Sequence, residues 1–337
     1  MGRHRAGAGR RPAPEEVSRI LEGTLDGQPP AVTDPLPPAR MAVLGPGGVG
    51  GLLAALLARR GDRVTCINPP ATAAHLAEHG LQLRSPMLGD ARVAVEAASR
   101  LDHSVDACFV TVKATQLEQA IDAVPADALG DGLVVPFLNG IDHLAWLRRR
   151  YPPDQVVAGT IRVESTRVGP GVIEHASPFA IVELAAGRED PARALVEDLA
   201  ARLVETGLEV TVRDDEARIL WSKLSVLAPI ALVTTWTATP VGEARARHRD
   251  EAVAVVREIV QAARANGVEL DEAATIRILD SVPDGMRSSM QKDAEAGRPI
   301  ELDAIGGTIL RAAERAGTEA PVTARLVAEL RARARTT

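Results

Sequence analysis

The chain has 337 residues, room for about two domains with separate cores, and its 46% hydrophobic and 25% charged residues are ordinary for a globular protein. A formal net charge of −6 with no internal basic stripe argues against a nucleic-acid footprint, and no uninterrupted apolar run approaches the ~20 residues that span a bilayer. Aromatic residues make up only 2%, so the core must be built from Ala, Val, Leu and Ile.

Residues 1–40 are rich in Arg, Ala, Gly and Pro and predict a disordered extension, with a short helix at about 14–22. The opening MGRHRAGAGRR lacks the apolar stretch of a signal peptide. From Met41 the pattern changes. MAVLG is a short apolar strand, followed by a glycine cluster and the helical GLLAALLARR. RVTCIN is a second strand, and a helix follows near 71–79. ACFVTV and GLVVPF are buried strands separated by the helical KATQLEQAIDAV. Strands alternating with helices of this length predict βαβ units on a doubly wound parallel sheet, an α/β Rossmann domain over about 41–210. Segments near 155–161, 171–175 and 179–184 add strands, and a helix at 190–206 closes this half. After residue 210 only helical patterns remain, at 215–236 (kinked by Pro229), 242–266, 270–280, 284–297, 301–316 and 320–334. They predict an all-α domain over 211–335.

Gly45-Pro46-Gly47-Gly48-Val49-Gly50 fits G-x-G-x-x-G between a strand and a helix, where a dinucleotide pyrophosphate meets backbone N–H groups and the helix dipole. The second strand ends at Asn68, where an acid would mark NAD and a nearby Arg NADP. Asn68-Pro69-Pro70 supplies neither, which leaves the choice of cofactor open.

Cys66 and Cys108, the only cysteines, lie in apolar runs and read as reduced small hydrophobes; no metal site is expected, and the cytoplasm is the default compartment. Of 39 basic residues only three are lysines, Lys113, Lys223 and Lys292. A chain that otherwise uses Arg retains Lys where a proton must be given up. Lys292, beside Asp293 on a polar helix face, reads as a solvated charge. His143 and His103 carry no constellation around them, and His175 reads as a structural strand histidine.

With these features placed, the chain resembles the ketopantoate reductase (2-dehydropantoate 2-reductase) family over about 41–332. The resemblance rests on the glycine loop, Val112-Lys113 with Gln116, Asn139-Gly140, and Leu220-Trp221-Ser222-Lys223-Leu224. Ser288-Ser289-Met290, Asp293, Gly297-Arg298, Glu301 and Asp303 extend it. It implies a Rossmann domain plus a helical domain of the 6-phosphogluconate dehydrogenase C-terminal type, with the active site between them. It further implies that Lys113 and Asn139 lie beside the nicotinamide half of NADPH, with NAD as the other cofactor. Lys223 would protonate the carbonyl oxygen as hydride reaches carbon, Ser289 would hold the substrate carboxylate, and Glu301 would contact the cofactor and orient the cleft. Elementary chemistry agrees for Lys223: reducing a ketone builds negative charge on oxygen, which a partly buried ammonium stabilises and then protonates. Ser289 also reads as a helix-cap hydroxyl, and Glu301 as a carboxylate favoured by a helix N-terminus.

The family places asparagines four, eight and eighteen residues beyond the catalytic lysine, to hydrogen-bond the substrate. This sequence has Leu227, Ala231 and Val241 there, the first two at i+4 and i+8 on the Lys223 helix face. Three amides replaced by apolar side chains predict a pocket for a larger or more apolar 2-oxo acid or ketone. The family arginine after the second strand corresponds to about Pro69, which puts the NADPH preference in question. The alternatives are an authentic 2-dehydropantoate 2-reductase and a repurposed non-redox member that binds dinucleotide structurally. The expected partners are a small-molecule carbonyl substrate and, by the prevalence of closed dimers, a second copy of the chain, with neither nucleic acid nor membrane.

Overall fold

The computed structural model describes residues 36–334. The helix expected at 14–22 and most of the extension expected over 1–40 lie outside the described residues. Residues 36–39 are fastened to the body: Arg60 Nη2 donates to Leu36 O (2.7 Å), Leu36 N–H to Glu205 (3.0 Å) and Arg202 Nη1 to Pro37 O (2.8 Å).

Strand β1 (Arg40–Leu44) leads through the glycine loop into helix α1 (Gly48–Arg60) and strand β2 (Arg63–Ile67). Helix α2 (Pro70–His79) is followed by three short strands, β3 (Leu81–Arg84), β4 (Ala91–Val93) and β5 (Glu96–Ala98), then β6 (Ala107–Val110). The helix expected at 113–124 is broken into a 3₁₀ turn (Ala114–Gln116), α3 (Leu117–Ala120) and a second 3₁₀ turn (Ile121–Ala123). Helix α4 (Ala126–Leu129), β7 (Leu133–Pro136) and α5 (His143–Leu147) complete this unit.

The main sheet has order β5-β2-β1-β6-β7, all parallel. Its strands are buried on both faces, which is why they read as continuous apolar runs. Along β1, Met41 and Val43 enter one core while Ala42 and Leu44 enter the other. Strand order reverses at β1 and β6, so the glycine loop after β1 and Lys113 after β6 both lie at the carboxyl edge, where α/β sheets bind ligands.

After α5 come β8 (Ala158–Arg162), β9 (Ser165–Gly169), β10 (Val172–His175), β11 (Ile181–Ala185), helix α6 (Arg193–Val204) and β12 (Glu209–Arg213). A second sheet, β4-β3-β10-β9, covers the far side of α1. That explains an α1 apolar on nearly every side: a Cβ on Gly48 would lie 2.1 Å from Ser165 O, and one on Gly51 would lie 2.4 Å from Ile173. His175 is a tie within this region, bonding Ser85 Oγ (2.8 Å) and Ser177 Oγ (3.0 Å). The third sheet, β12-β11-β8, adjoins β7 through a bridge between Val134 and Val156. The boundary expected at 210 falls inside β12. That strand pairs in parallel with β11 and belongs to the sheet-bearing half, which runs to Arg213.

Helix α7 (Glu216–Thr237) opens the helical half, capped by Asp215, which accepts from Arg218 N–H at 3.0 Å. It is long and apolar enough to cross a membrane, but it is mostly buried as the central core helix. It continues as one helix through Pro229, where a kink was expected; in α8 (Val241–Ala265) the backbone leaves helical geometry at His248. Helices α9 (Glu272–Ser281), α10 (Ser289–Glu295), α11 (Thr308–Ala316) and α12 (Pro321–Ala334) surround α7 and α8. The helix expected from 284 begins only at Ser289, where Ser288 caps it by accepting from Gln291 N–H at 3.0 Å. The helix expected over 301–316 starts with a π-helical turn, Asp303–Gly307.

Candidate active site

The glycine loop has the geometry of a phosphate cradle. Gly45 has φ +78°, a region that L side chains avoid, and any Cβ there would lie 2.4 Å from Val112. A Cβ on Gly50 would lie 2.2 Å from Thr111, so helix and strand can approach only without one. Gly47 differs: its Cβ would meet nothing closer than Gly45 O at 3.9 Å, which leaves that side of the backbone open. Helix α1 has no side-chain cap and no acidic residue in its first turn, so its N-terminal dipole is unanswered by protein. At the end of β2, Asn68 is 9% exposed and its Nδ2 is sealed in without a protein partner. These features fit a dinucleotide.

The two halves meet beside this edge, and all three lysines sit at the junction. Lys113 Nζ donates to Asp293 (2.5 Å), whose other oxygen accepts from Arg298 Nε at 2.9 Å. Lys292, expected as a solvated charge, reaches across the junction to Glu164 at 2.7 Å. Glu301 is 8% exposed and bridges the halves, accepting from Ala114 N–H at 2.9 Å and Asn139 Nδ2 at 3.0 Å. Asn139 and Lys113 are thereby held by carboxylates of the helical half. Gly140 (φ +85°) allows the close approach: a Cβ there would lie 2.2 Å from Ala304 O on the π-helical turn. Asp142, two residues on, accepts from Thr308 Oγ1 (2.5 Å) and Arg311 Nη2 (2.8 Å).

Lys223 lies two turns into α7, on the helix that packs against β8 and β11. Its Nζ donates to Leu138 O at 3.3 Å, and among the described residues no other acceptor takes its protons. Burial pushes the ammonium down to about 8, and the Arg162 guanidinium adds to that against the pull of Glu301 and Glu183. The group therefore holds its proton at neutral pH and releases it readily. His143, set aside on sequence, is buried beside it with neither ring nitrogen partnered. Burial, reinforced by the Lys223 charge, pushes its pKa to about 3, so the ring is neutral.

Sequence reading also missed the polar pair beneath the lysine. Glu183 is fully buried on β11, accepting from Thr160 Oγ1 (3.2 Å), Arg162 Nη1 (2.5 Å) and Arg213 Nε (3.3 Å). The available signal was a charge inside each of two otherwise apolar strands, AGTIR and IVELA.

Ser289 is exposed at the first position of α10. Of the three positions expected to line the cleft, only Leu227 is partly accessible. Ala231 and Val241 are 1% and 3% exposed and pack in the helical core, since apolar side chains gain by leaving water. Val241 backs onto a cavity of about 20 Å³ whose lining includes Pro229, Ile230 and Val233. Among the described residues, no cluster of His, Cys, Asp or Glu could hold a metal.

A glycine loop at a Rossmann switch point, with a lysine of the helical half at the carboxyl edge of the same sheet, is the arrangement of a nicotinamide-dependent oxidoreductase. The chain belongs to the ketopantoate reductase PanE/ApbA family: residues 41–189 match its N-terminal model and 215–334 its C-terminal model. It is 29% identical over 300 residues to the uncharacterized oxidoreductase YkpB of Bacillus subtilis, covering 86% of this chain and 97% of that protein. It is also 29% identical over 308 residues to a 2-dehydropantoate 2-reductase of Caulobacter vibrioides, covering 87% and 99%. Among solved structures, a PanE/ApbA family ketopantoate reductase from Ralstonia eutropha superposes with TM-score 0.76 at 26% identity, covering 87% and 97%. D-mandelate dehydrogenase, solved with NADH and anilino(oxo)acetate, shares the fold with TM-score 0.81 at 23% identity, covering 88% and 99%.

Proposed function

We propose that this protein reduces the carbonyl of a 2-oxo acid more apolar than ketopantoate, using NADPH, with NADH as the second candidate. The observation that carries the reading is Lys223: a lysine at the domain junction, its pKa near 8, held among the described residues by a single hydrogen bond to Leu138 O. The bound cofactor supplies hydride to the carbonyl carbon. Lys223 stabilises the charge that develops on oxygen and then protonates it. Asn139 and Lys113 border the cofactor's reactive end, and Glu301 is a positioning residue that holds Asn139 and the Ala114 N–H in register. Ser289, at the helical rim, is a further substrate contact.

Leu227, one turn beyond Lys223 and partly accessible, supports the apolar substrate. An authentic 2-dehydropantoate 2-reductase is the competing reading, favoured by the named relatives. A non-redox dinucleotide-binding module would have no use for an ammonium of lowered pKa. For the cofactor, Asn68 is the group that meets the adenosine ribose, with Pro69 and Pro70 rather than a cation beside it. We expect a homodimer in the cytoplasm, where the unpaired, buried Cys66 and Cys108 stay reduced.

Fluorescence titration of wild type and Lys223→Met with NADPH and NADH, together with turnover of pooled 2-oxo acids, tests the reading. Intact cofactor binding with lost turnover is the expected result. Turnover undiminished in Lys223→Met contradicts it.

A further inference from the structure

Arg162 ends strand β8, on the sheet face that α7 covers. Its Nη1 is held by Glu183, which is itself fully buried and braced from behind by Arg213 and Thr160. That bracing fixes the guanidinium plane. Among the described residues neither Nε nor Nη2 of Arg162 has a protein partner, and neither is sealed from solvent, the side chain being 13% exposed. Three cations, Arg162, Arg213 and Lys223, here face two carboxylates, Glu183 and Glu301. One positive charge is left over in a largely buried layer, where an unanswered charge is costly.

We propose that Arg162 is the anchor for the substrate's carboxylate, receiving it through Nε and Nη2 while Glu183 holds the fork in place. A planar fork matches a carboxylate with two parallel hydrogen bonds, which a hydroxyl such as Ser289 cannot do. Arg162 is close enough to Lys223 to help depress its pKa, so an anchor here sets a 2-oxo acid with its carbonyl toward the ammonium. The arriving anion also neutralises the surplus charge. The residue thereby makes the site select an acid over the matching neutral ketone. The inference rests on the reductase reading for its substrate class, but its test does not depend on turnover.

The probe is anilino(oxo)acetate, an unreactive 2-oxo acid mimic, compared with its methyl ester. Binding to the protein saturated with NADPH is followed by calorimetry. Wild type should prefer the acid. Arg162→Met should weaken the acid about 30-fold or more while leaving the ester within about threefold, since only a charge-assisted pair is lost. Unchanged NADPH affinity reports an intact fold. Because Arg162→Met leaves Glu183 with one partner fewer, the double variant Arg162→Met/Glu183→Gln removes that burden, and Arg162→Lys should restore part of the preference. Failure of wild type to bind the acid, or equal weakening of acid and ester, overturns the anchor. Preference for the acid that Arg162→Met abolishes, in a protein that oxidises no NADPH with any carbonyl, keeps the anchor and discards the reductase reading. Turnover with the preference untouched does the reverse.

Discussion

Raising the pH should switch off reduction through Lys223. Its pKa of about 8 means that at pH 7 about nine molecules in ten carry the proton, and at pH 9 about one in ten. A group that must donate gives a rate that is level below its pKa and falls about tenfold per unit above it. With cofactor saturating and 2-oxo acid well below its KM, kcat/KM should be flat to about pH 7.5 and then fall steadily to pH 9.5. His143 adds no limb, because its pKa near 3 keeps it neutral throughout. Lys223→Arg keeps the charge but holds its proton across this range. The limb should vanish and kcat/KM should drop about 10²–10⁴-fold, a barrier higher by about 3–5 kcal/mol. The assay is initial-rate cofactor oxidation in constant-ionic-strength buffers. A wild-type profile flat to pH 10, or an alkaline limb that survives in Lys223→Arg, refutes the assignment.

Other substitutions separate the clamp from the chemistry. Gly140→Ala places a Cβ 2.2 Å from Ala304 O at a φ of +85°; strain of about 1–3 kcal/mol from the backbone alone should lower Tm by several degrees in calorimetry and loosen the Asn139–Glu301 contact. Lys292→Ala removes a pair whose side chains are 39% and 44% exposed, so unfolding in denaturant should shift by less than about 1 kcal/mol. Leu227→Asn returns an amide one turn beyond Lys223 and should raise kcat/KM for ketopantoate about five- to hundredfold relative to an apolar 2-oxo acid.

Much of the fold was legible because burial on both faces turns β1, β2, β6 and β7 into continuous apolar runs around an unmistakable glycine loop. The short strands β3, β4 and β5, with β9 and β12, were not. STRVG and EVTVR carry mixed side chains at sheet edges, and what makes them strands is their partners, β10 and β11. The π-helical turn after Glu301 escaped notice for a similar reason: its geometry answers the close approach of Gly140 from the other half. At the site, Asn139 and Glu301 stood out through the family resemblance, and Lys113 and Lys223 through that resemblance and the scarcity of lysine. Arg162, Glu183 and His143 did not, since an arginine among many and a histidine in a polar turn acquire meaning only when α7 lays Lys223 against them. Ala231 and Val241 show the opposite limit. Helical spacing placed Ala231 on the lysine's face, but packing of the helical core closed both positions off.

The preference for an apolar 2-oxo acid is tested most directly by the ratio of kcat/KM for 4-methyl-2-oxopentanoate to that for ketopantoate at saturating NADPH. The missing amide partner at Leu227, at about 1–3 kcal/mol, predicts a ratio above about 5. Efficient reduction of ketopantoate at micromolar concentration, equal to or better than that of the apolar acid, contradicts the account.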